Sequence, residues 1–157
     1  MTVEKSISGD TVDIICDLLH QITWNIRLDQ LGTWTNKLKG MIQLDLHILK
    51  LIAERPDIIL KEICDELDIP NSTLTSAINR LEKRGLLRRT ISQRDRRSYG
   101  LEMTRKGWEI HEQHESVDRW IAQKVRDALG NEEEVQTFIN LLEKVSHNFN
   151  RDETFDP

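Results

Sequence analysis

The chain has 157 residues, the size of one ordinary domain, and can bury a hydrophobic core without disulfides or a metal. Hydrophobic residues make up 38% and charged residues 31%, with only 7 Gly and 3 Pro, which favours a helix-rich globular protein and excludes a disordered one. The apolar runs are short and the first residues are polar, so we expect neither a transmembrane helix nor a signal peptide. Cys16 and Cys64 lack CxxC spacing, which is typical of a reducing cytoplasm and predicts no disulfide framework.

The net charge of −5 argues against a nucleic-acid partner until its distribution along the chain is considered. Residues 71–107 carry ten basic and three acidic side chains, a net charge of +7, which leaves −12 for the rest of the chain. The basic residues of this segment are Arg80, Lys83, Arg84, Arg88, Arg89, Arg94, Arg96, Arg97, Arg105 and Lys106. A basic patch on an acidic body is the charge pattern of a nucleic-acid-binding protein.

Two apolar stripes predict the first two helices. The first stripe recurs at spacings of 3, 4, 3 and 4 residues, with polar residues between. After a break around residues 32–40, a second and more completely apolar helix is expected, and Pro56 ends it because proline lacks an amide donor. The stripes are Val12, Ile15, Leu19, Ile22 and Ile26, followed by Leu44, Ile48, Leu51 and Ile52.

Two short helices with matching stripes follow, separated by residues 68–70. Both stripes have i, i+3, i+4, i+7 spacing: Leu60, Ile63, Cys64 and Leu67, then Leu74, Ala77, Ile78 and Leu81. A connection of about three residues makes such helices cross steeply. Asn71 or Ser72 is expected to cap the second helix, and Gly85 closes it where a left-handed residue is wanted. The pattern predicts a helix-turn-helix.

The hydrophobic period changes after Gly85. Residues 87–91 and 99–103 alternate between apolar and other side chains around a turn-like segment, which predicts a β-hairpin. Thr104 can cap a long helix that Gly130 closes, and Asn131 opens a last helix as a capping-box variant. The last helix has spacings of 3, 4, 3 and 4 through Val135, Phe138, Leu142, Val145 and Phe149.

The outward face of the second helix of the pair carries residue types that read DNA. In a helix-turn-helix this helix enters the major groove. Small hydrogen-bonding side chains would permit close approach to base edges, while Arg80 and Lys83 are placed to meet phosphate. The predicted contact residues are Asn71, Ser72, Thr73, Thr75, Ser76, Asn79, Arg80 and Lys83. The alternative interpretation is a solvated polar helix face.

The hairpin tip adds a second basic feature. Arg94, Arg96 and Arg97 place three guanidinium groups where they cannot be buried, and Asp95 can orient a neighbouring arginine. Such a tip suits a narrow minor groove, where the negative potential favours inserted arginine. The alternative is an ordinary solvated charged turn. Together, the helix pair and the tip favour DNA binding over either alternative.

From about residue 12 to 149, the chain resembles the MarR family of bacterial and archaeal regulators. The motifs are Leu60-Lys-Glu-Ile-Cys-Asp-Glu-Leu67, Ser72-Thr-Leu-Thr75, Leu81-Glu-Lys-Arg-Gly-Leu86, Arg89, Asp95-Arg-Arg97, Leu101-Glu-Met-Thr104 and Gly107. The resemblance implies a homodimeric winged helix whose terminal helices interlock on a twofold-symmetric operator. It places the wing arginine at Arg97, the wing aspartate at Asp95 and the recognition helix at Ser72–Arg84. Ser76 departs from the family, which often has arginine there.

The expected fold is therefore mainly α with a small β-hairpin wing, a winged helix-turn-helix with N- and C-terminal dimerisation helices. The predicted regions are 10–35 and 105–150 for dimerisation, 41–104 for DNA binding, and 151–157 as a disordered tail. The stripes at 12–26 and 135–149 have coiled-coil-like spacing, which favours dimerisation over the alternative of packing within one chain.

The family resemblance also suggests a small-molecule effector between the dimer helices and the DNA-binding lobe, with no cofactor. Its identity stays open. Trp24, Trp34, His47 and Trp108 could line a pocket, although aromatic side chains at helix contacts are more often core. His47, His111, His114 and Glu115 could accept zinc, but solvated or core histidines are the preferred interpretation. Cys16 lies where peroxide-sensing relatives keep a reactive cysteine, and a buried inert thiol is preferred.

The predicted function is a sequence-specific, double-stranded DNA-binding transcriptional regulator. It would act as a homodimer, as a ligand-responsive repressor, in the prokaryotic cytoplasm with the nucleoid and away from membranes. The alternatives are a winged-helix protein-interaction module without DNA binding, or a zinc- or redox-responsive variant of the regulator. No GxSxG, glycine-rich phosphate loop or HExxH motif is present, so we predict that the chain is not an enzyme.

Overall fold

A computed structural model describes residues 10–26, 38–93 and 99–149. In chain order the elements are α1 (Thr11–Ile26), α2 (Gln43–Glu54), α3 (Leu60–Leu67), α4 (Asn71–Lys83), β1 (Leu87–Ile91), β2 (Tyr99–Met103), α5 (Arg105–Ala128) and α6 (Glu132–Asn148). The predicted mainly α winged helix-turn-helix is confirmed. None of the described helices is long and apolar enough to cross a membrane.

The chain divides into two compact units, residues 1–117 and 118–157. The core of the first unit is formed by the apolar stripes of α2, α3 and α4 together with the inner ends of the two strands. Its fully buried side chains include Ile48, Leu49, Ile58, Ile63, Leu74, Ile78, Leu81 and Leu86. The predicted stripes of the helix-turn-helix therefore face one another, and burial of this apolar surface is the main stabilising contribution to the unit.

The turn between α3 and α4 depends on two backbone features. Asp68 adopts a left-handed conformation (φ 49°, ψ 54°), and Pro70 follows at the N-cap with φ −61° and ψ 146°. Pro70 occupies the N-cap with an extended backbone, and its ring fixes φ there. The helix therefore begins at Asn71. The expectation that Asn71 or Ser72 caps α4 is wrong, since the N-cap is Pro70 and no side chain caps the helix.

The end of α4 leads directly into the wing. Gly85 has a φ of 71°, the left-handed conformation predicted for this position. Strands β1 and β2 are antiparallel, with Leu87 opposite Met103 and Ile91 opposite Tyr99. The alternation buries Leu87 and Met103 at the inner end, whereas Ile91 and Tyr99 at the outer end are exposed. The hairpin is thus anchored in the core at one end and projects from it at the other.

The beginning of α5 is packed tightly against the residues that follow α4. Thr104 Oγ1 accepts from the Gly107 amide at 3.1 Å, which confirms the predicted cap, and it donates to the Gly85 carbonyl at 2.7 Å. A Cβ atom at Gly107 would overlap the carbonyl oxygen of Leu86. Glycine at position 107 is therefore required by the close approach of two backbone segments.

The helices predicted to mediate dimerisation have exposed apolar faces in the single chain. On α1 the exposed apolar residues include Val12, Ile15, Leu18, Leu19 and Ile22, and on α6 they include Phe138, Ile139, Leu141, Leu142 and Val145. Within the second unit, a cavity of about 470 Å³ lies between α5 and α6 and is lined by residues such as Ile121, Val125, Leu129, Val135, Phe138 and Leu142.

Candidate nucleic-acid interface

Helix α4 presents a polar face opposite its buried stripe. Leu74, Ala77, Ile78 and Leu81 are no more than 1% exposed, which fixes one side of the helix against the core. Of the predicted contact residues, Asn71, Ser72, Thr73, Ser76, Asn79 and Lys83 are exposed, and Thr75 and Arg80 are half-buried. The structure therefore brings the predicted contact residues to one helix, with most of them open to a ligand.

The N-terminus of α4 is left open by its proline cap. The amides of Thr73 and Leu74 donate to the Pro70 carbonyl at 3.0 and 3.1 Å. The first amides of any helix lack intrahelical acceptors, and here no side chain caps them. Such a positive end favours an anion, so the arrangement suits a phosphate placed beside Asn71 and Ser72.

Arg80 makes an ion pair that the sequence analysis did not anticipate. Its Nη2 donates to Oδ1 of Asp45 at 2.5 Å, and its Nε lies 3.2 and 3.3 Å from the two carboxylate oxygens. The side chain of Asp45 is 0% exposed and that of Arg80 is 39% exposed. The hydrogen bond to Asp45 raises the pKa of Arg80 above its ordinary value. Arg80 thus joins α4 to α2, a role beyond the predicted contact with phosphate.

Asp45 also stabilises the helix on which it lies. Its Oδ2 accepts from the Ile42 amide at 3.3 Å, at the N-terminus of α2. A sequence signal for this residue exists, because Asp45 shares a face with Ile48, Leu49 and Ile52, all of them buried. A carboxylate on an apolar stripe requires a cation or hydrogen-bond donors in the core, and Arg80 and Ile42 supply them.

Arg84 attaches the C-terminal end of α4 to the turn before α2. Its Nη1 donates to the Gly40 carbonyl at 2.6 Å and its Nη2 to the Lys39 carbonyl at 2.9 Å. The carbonyl of Arg84 in turn accepts from Lys106 Nζ at 2.9 Å. These contacts hold α4 between α2 and the start of α5, so both Arg80 and Arg84 fix the position of the candidate recognition helix.

A third arginine connects α4 to the wing. Arg89 on β1 forms an ion pair with Glu82, and its backbone amide donates to Oε1 of the same carboxylate at 3.1 Å. Its Nη2 donates to Oδ1 of Asn79 at 2.7 Å. Asn79, one of the predicted base-reading residues, is therefore already hydrogen bonded to the wing. No sequence pattern predicts this contact, because Arg89 and Asn79 lie on different elements, β1 and α4.

Ser76 has its hydroxyl group bonded within α4. Its Oγ donates to the Ser72 carbonyl at 2.9 Å. The hydroxyl hydrogen is engaged, and the oxygen lone pairs remain available to a donor. Ser76 thus presents an acceptor on the exposed face at the position where the family often has arginine.

The base of the wing is anchored by Asp57, which has a positive φ of 63°. Its carboxylate accepts from Ser92 Oγ at 3.0 Å and from the Gln93 amide at 3.3 Å. Ser92 is 1% exposed, so this anchor is part of the core. The predicted wing-tip residues Arg94, Asp95, Arg96 and Arg97 lie outside the described residues, and their DNA contact stays a prediction.

Three of the residues predicted to line an effector pocket, Trp24, His47 and Trp108, lie on different helices. Trp24 on α1 is 81% exposed, and Trp108 on α5 is 43% exposed. The exposed His47 donates from Nδ1 to the Gln43 carbonyl oxygen at 3.0 Å. Trp34 lies outside the described residues. The pocket therefore stays a prediction.

The candidate zinc ligands are not gathered into a site. Within residues 10–26, 38–93 and 99–149, no group of three or more His, Cys, Asp or Glu side chains could hold a metal ion. His111 is buried, its Nε2 lies 3.9 Å from Oε1 of Glu115, and its ring meets Trp108 edge-on with centroids 5.8 Å apart. His114 is half-buried on the same helix, and His47 lies on α2. The structure places His111 in packing contacts.

The two cysteines differ from each other in their surroundings. Cys16 is exposed on α1, so the preferred interpretation of a buried thiol is wrong for the single chain. The physical reason is that α1 as a whole is exposed, its apolar stripe included. Cys64 is half-buried on α3, and burial, together with the charge of Asp65, raises the pKa of its thiol. A raised pKa keeps this thiol protonated and unreactive at neutral pH.

The middle of the chain is similar to a known protein family. Residues 43–99 match the family model of the MarR family. A protein of Thauera aromatica named as a transcriptional regulatory protein for the hcr operon is 35% identical over 60 residues, which span 38% of this chain and 36% of that protein. The chain thus matches about a third of the length of this curated relative.

Two solved structures extend the likeness to most of the chain. FabT of Streptococcus pneumoniae, solved in complex with DNA, is 26% identical, and the match covers 87% of this chain and 95% of that one with a TM-score of 0.73. The MepR–DNA complex of S. aureus shares the fold at 18% identity, covering 88% and 98% with a TM-score of 0.62. The matching family and structures are those of transcription regulators and not of enzymes.

Proposed function

We propose that the chain is a MarR-family transcriptional regulator that binds double-stranded DNA through α4 and the wing, since residues 43–99 match the model of that family. The observation that carries the proposal is the exposed polar face of α4. Arg80 holds this helix in place through its ion pair with Asp45, and Arg84 does so through hydrogen bonds to the carbonyls of residues 39 and 40. A groove-reading helix needs such a fixed position. The DNA bound to FabT and MepR supports the same use of the fold here.

The proposed regulator acts as a homodimer on a twofold-symmetric operator. The support is the exposed apolar surface of α1 and α6, where Leu19 is 57% and Leu142 is 54% exposed. Contiguous apolar faces of this kind mark interaction surfaces. A second copy of the chain carries the same two apolar faces, on its own α1 and α6, and can cover them. Two recognition helices related by a twofold axis would read half-sites about 10 base pairs apart.

We further propose that the dimer is a repressor that responds to a small molecule, in the prokaryotic cytoplasm with the nucleoid. A dimer bound to an operator excludes other proteins from that DNA. An effector that changes the separation of the two recognition helices would lower operator affinity, because both half-sites could no longer be contacted together. The pocket candidates Trp24, Trp34, His47 and Trp108 are the residues to probe first.

Selection of bound sequences from a random DNA pool with purified full-length protein tests the proposal. We expect enrichment of a site with twofold symmetry, binding that weakens steeply with salt, and a mass in solution of two chains. A matched pair of variants separates the roles of the residues: Lys83→Ala should weaken binding to all DNA, whereas Thr75→Ala should reduce the preference for the selected site. A pool without enrichment would instead favour the protein-interaction module and would refute the proposed function.

A further inference from the structure

The amide of Asn79 is held in one orientation by the wing. Its Oδ1 accepts from Nη2 of Arg89 at 2.7 Å. An asparagine side chain has one acceptor oxygen and one donor NH₂ group, and the two point in different directions. With Oδ1 turned toward Arg89, the Nδ2 donors are left for a partner other than the wing. Asn79 lies on the exposed face of α4, so a base edge is such a partner.

Arg89 is itself fixed by Glu82, so it acts as a rigid donor. One carboxylate receives both the Arg89 backbone amide and the Nη1 group. The side chains of Arg89 and Glu82 are 30% and 28% exposed, which shields this ion pair from solvent. Glu82 lies three residues beyond Asn79 on α4. Glu82, Arg89 and Asn79 thus form a chain of hydrogen bonds from the recognition helix to β1 and back.

This orientation changes what Asn79 can recognise. Selection of adenine by asparagine requires both ends of the amide, because Oδ1 accepts from N6 while Nδ2 donates to N7. A donor alone is satisfied by N7 or O6 of guanine, O4 of thymine or N7 of adenine. Ser76 is engaged in the opposite sense, since its hydroxyl hydrogen is bonded to the Ser72 carbonyl. The exposed face therefore presents a donor at Asn79 and an acceptor at Ser76.

We propose that Arg89 is a specificity-determining residue that holds Asn79 with its donors toward the DNA, so that this position of the site requires an acceptor and does not select adenine. Arg89 acts through Asn79 and need not touch the DNA. The inference rests on the proposed function, in which α4 enters the major groove.

The test compares the sites selected by the wild type, Asn79→Ala and Arg89→Met. Asn79→Ala identifies the base position that depends on this side chain. At that position the wild type should accept guanine or thymine at least as well as adenine. In Arg89→Met, which keeps an unbranched aliphatic stem and removes the guanidinium donors, Oδ1 is released and the preference for adenine over guanine should rise about tenfold. Arg88→Met is the matched control, because Arg88 on the same strand pairs with Glu102.

The inference would be overturned by a strict adenine preference in the wild type, by an unchanged preference in Arg89→Met, or by the absence of any position that responds to Asn79→Ala. If Arg89→Met does not fold, the base preference of the wild type at this position tests the inference by itself. Replacement of the preferred base by an analogue that lacks all of its major-groove acceptors (both N7 and O6 for guanine, N7 for adenine, O4 for thymine) should weaken binding about tenfold, and an unchanged affinity contradicts the inference. Failure of the wild type to enrich any sequence refutes the proposed function, and the inference with it.

Discussion

Removal of Arg80 should destabilise the protein because it leaves a buried carboxylate without its cation. Loss of one partner of a fully buried ion pair costs about 3 to 5 kcal/mol. The side chain of Asp45 is 0% exposed but that of Arg80 is 39% exposed, so solvent screens part of the interaction. We therefore expect Arg80→Ala to lower the free energy of unfolding by about 2 to 4 kcal/mol.

Urea unfolding followed by far-ultraviolet circular dichroism measures this loss, at one protein concentration because dimerisation contributes to stability. Arg88→Ala is the control, since Arg88 and Glu102 are 67% and 53% exposed and their pair should be worth less than about 1 kcal/mol. In the double variant Asp45→Ala/Arg80→Ala, the loss in free energy of unfolding should be smaller than the sum of the two single losses by about 1 to 3 kcal/mol. A loss for Arg80→Ala no larger than for Arg88→Ala would refute the reasoning.

The same variants distinguish a structural arginine from a phosphate contact. Lys83→Ala should reduce the slope of log K against log salt by about 0.9, the value for one released counterion. Arg80→Ala should lower the affinity for the operator and leave that slope unchanged, because its charge is directed to Asp45. A fall in slope equal to that of Lys83→Ala would show that Arg80 binds phosphate as the sequence predicts.

Three further predictions concern single positions. Gly107→Ala should lower the free energy of unfolding by about 2 kcal/mol or more in thermal or urea denaturation, because the added methyl overlaps the Leu86 carbonyl; full stability would contradict this close approach. Asp57→Ala should increase amide exchange at the base of the wing and weaken DNA binding while α2 to α4 stay protected, and unchanged exchange there would argue against the anchor. In a Cys16→Ser variant, alkylation of Cys64 should keep accelerating above pH 9, since its pKa is raised from 9.0, and a plateau below pH 9 would contradict the raised value. Because the folded pKa of Cys64 exceeds the unfolded one, its contribution to stability is present at neutral pH and is lost as pH rises through the folded pKa.

The helices and strands were predictable because their signals are local. The stripe from Leu74 to Leu81 specifies which side of α4 is buried, and Gly85 specifies where the helix ends. Periodicity and turn chemistry act within a few residues, so they are visible before any tertiary contact is known. The N-cap of α4 was mispredicted because Pro70 and the left-handed Asp68 determine the backbone before Asn71.

The roles of the arginines could not be predicted in the same way. Arg80 and Asp45 are 35 residues apart, and a spacing pattern cannot show which of several carboxylates meets a given guanidinium group. The pairing of Arg89 with Asn79 depends on the register of β1 against α4, which is a tertiary property. Only the placement of Asp45 on an apolar stripe indicates from the sequence that this carboxylate is paired, since a buried charge requires a partner.

These contacts change how the basic segment should be understood. Its net charge of +7 already includes Glu82 and Glu102, but Asp45 lies outside the segment and offsets one more charge. The three carboxylates pair with arginines that lie on the middle of α4 and on β1, so the positive potential there is locally reduced. In the proposed function, the charge left for phosphate therefore lies on Lys83 and on the other basic residues of the segment that pair with none of these three carboxylates. Because Arg80 serves to fix the position of α4, the proposed function leaves base readout to the uncharged side chains of this helix, and the orientation of Asn79 becomes decisive in it.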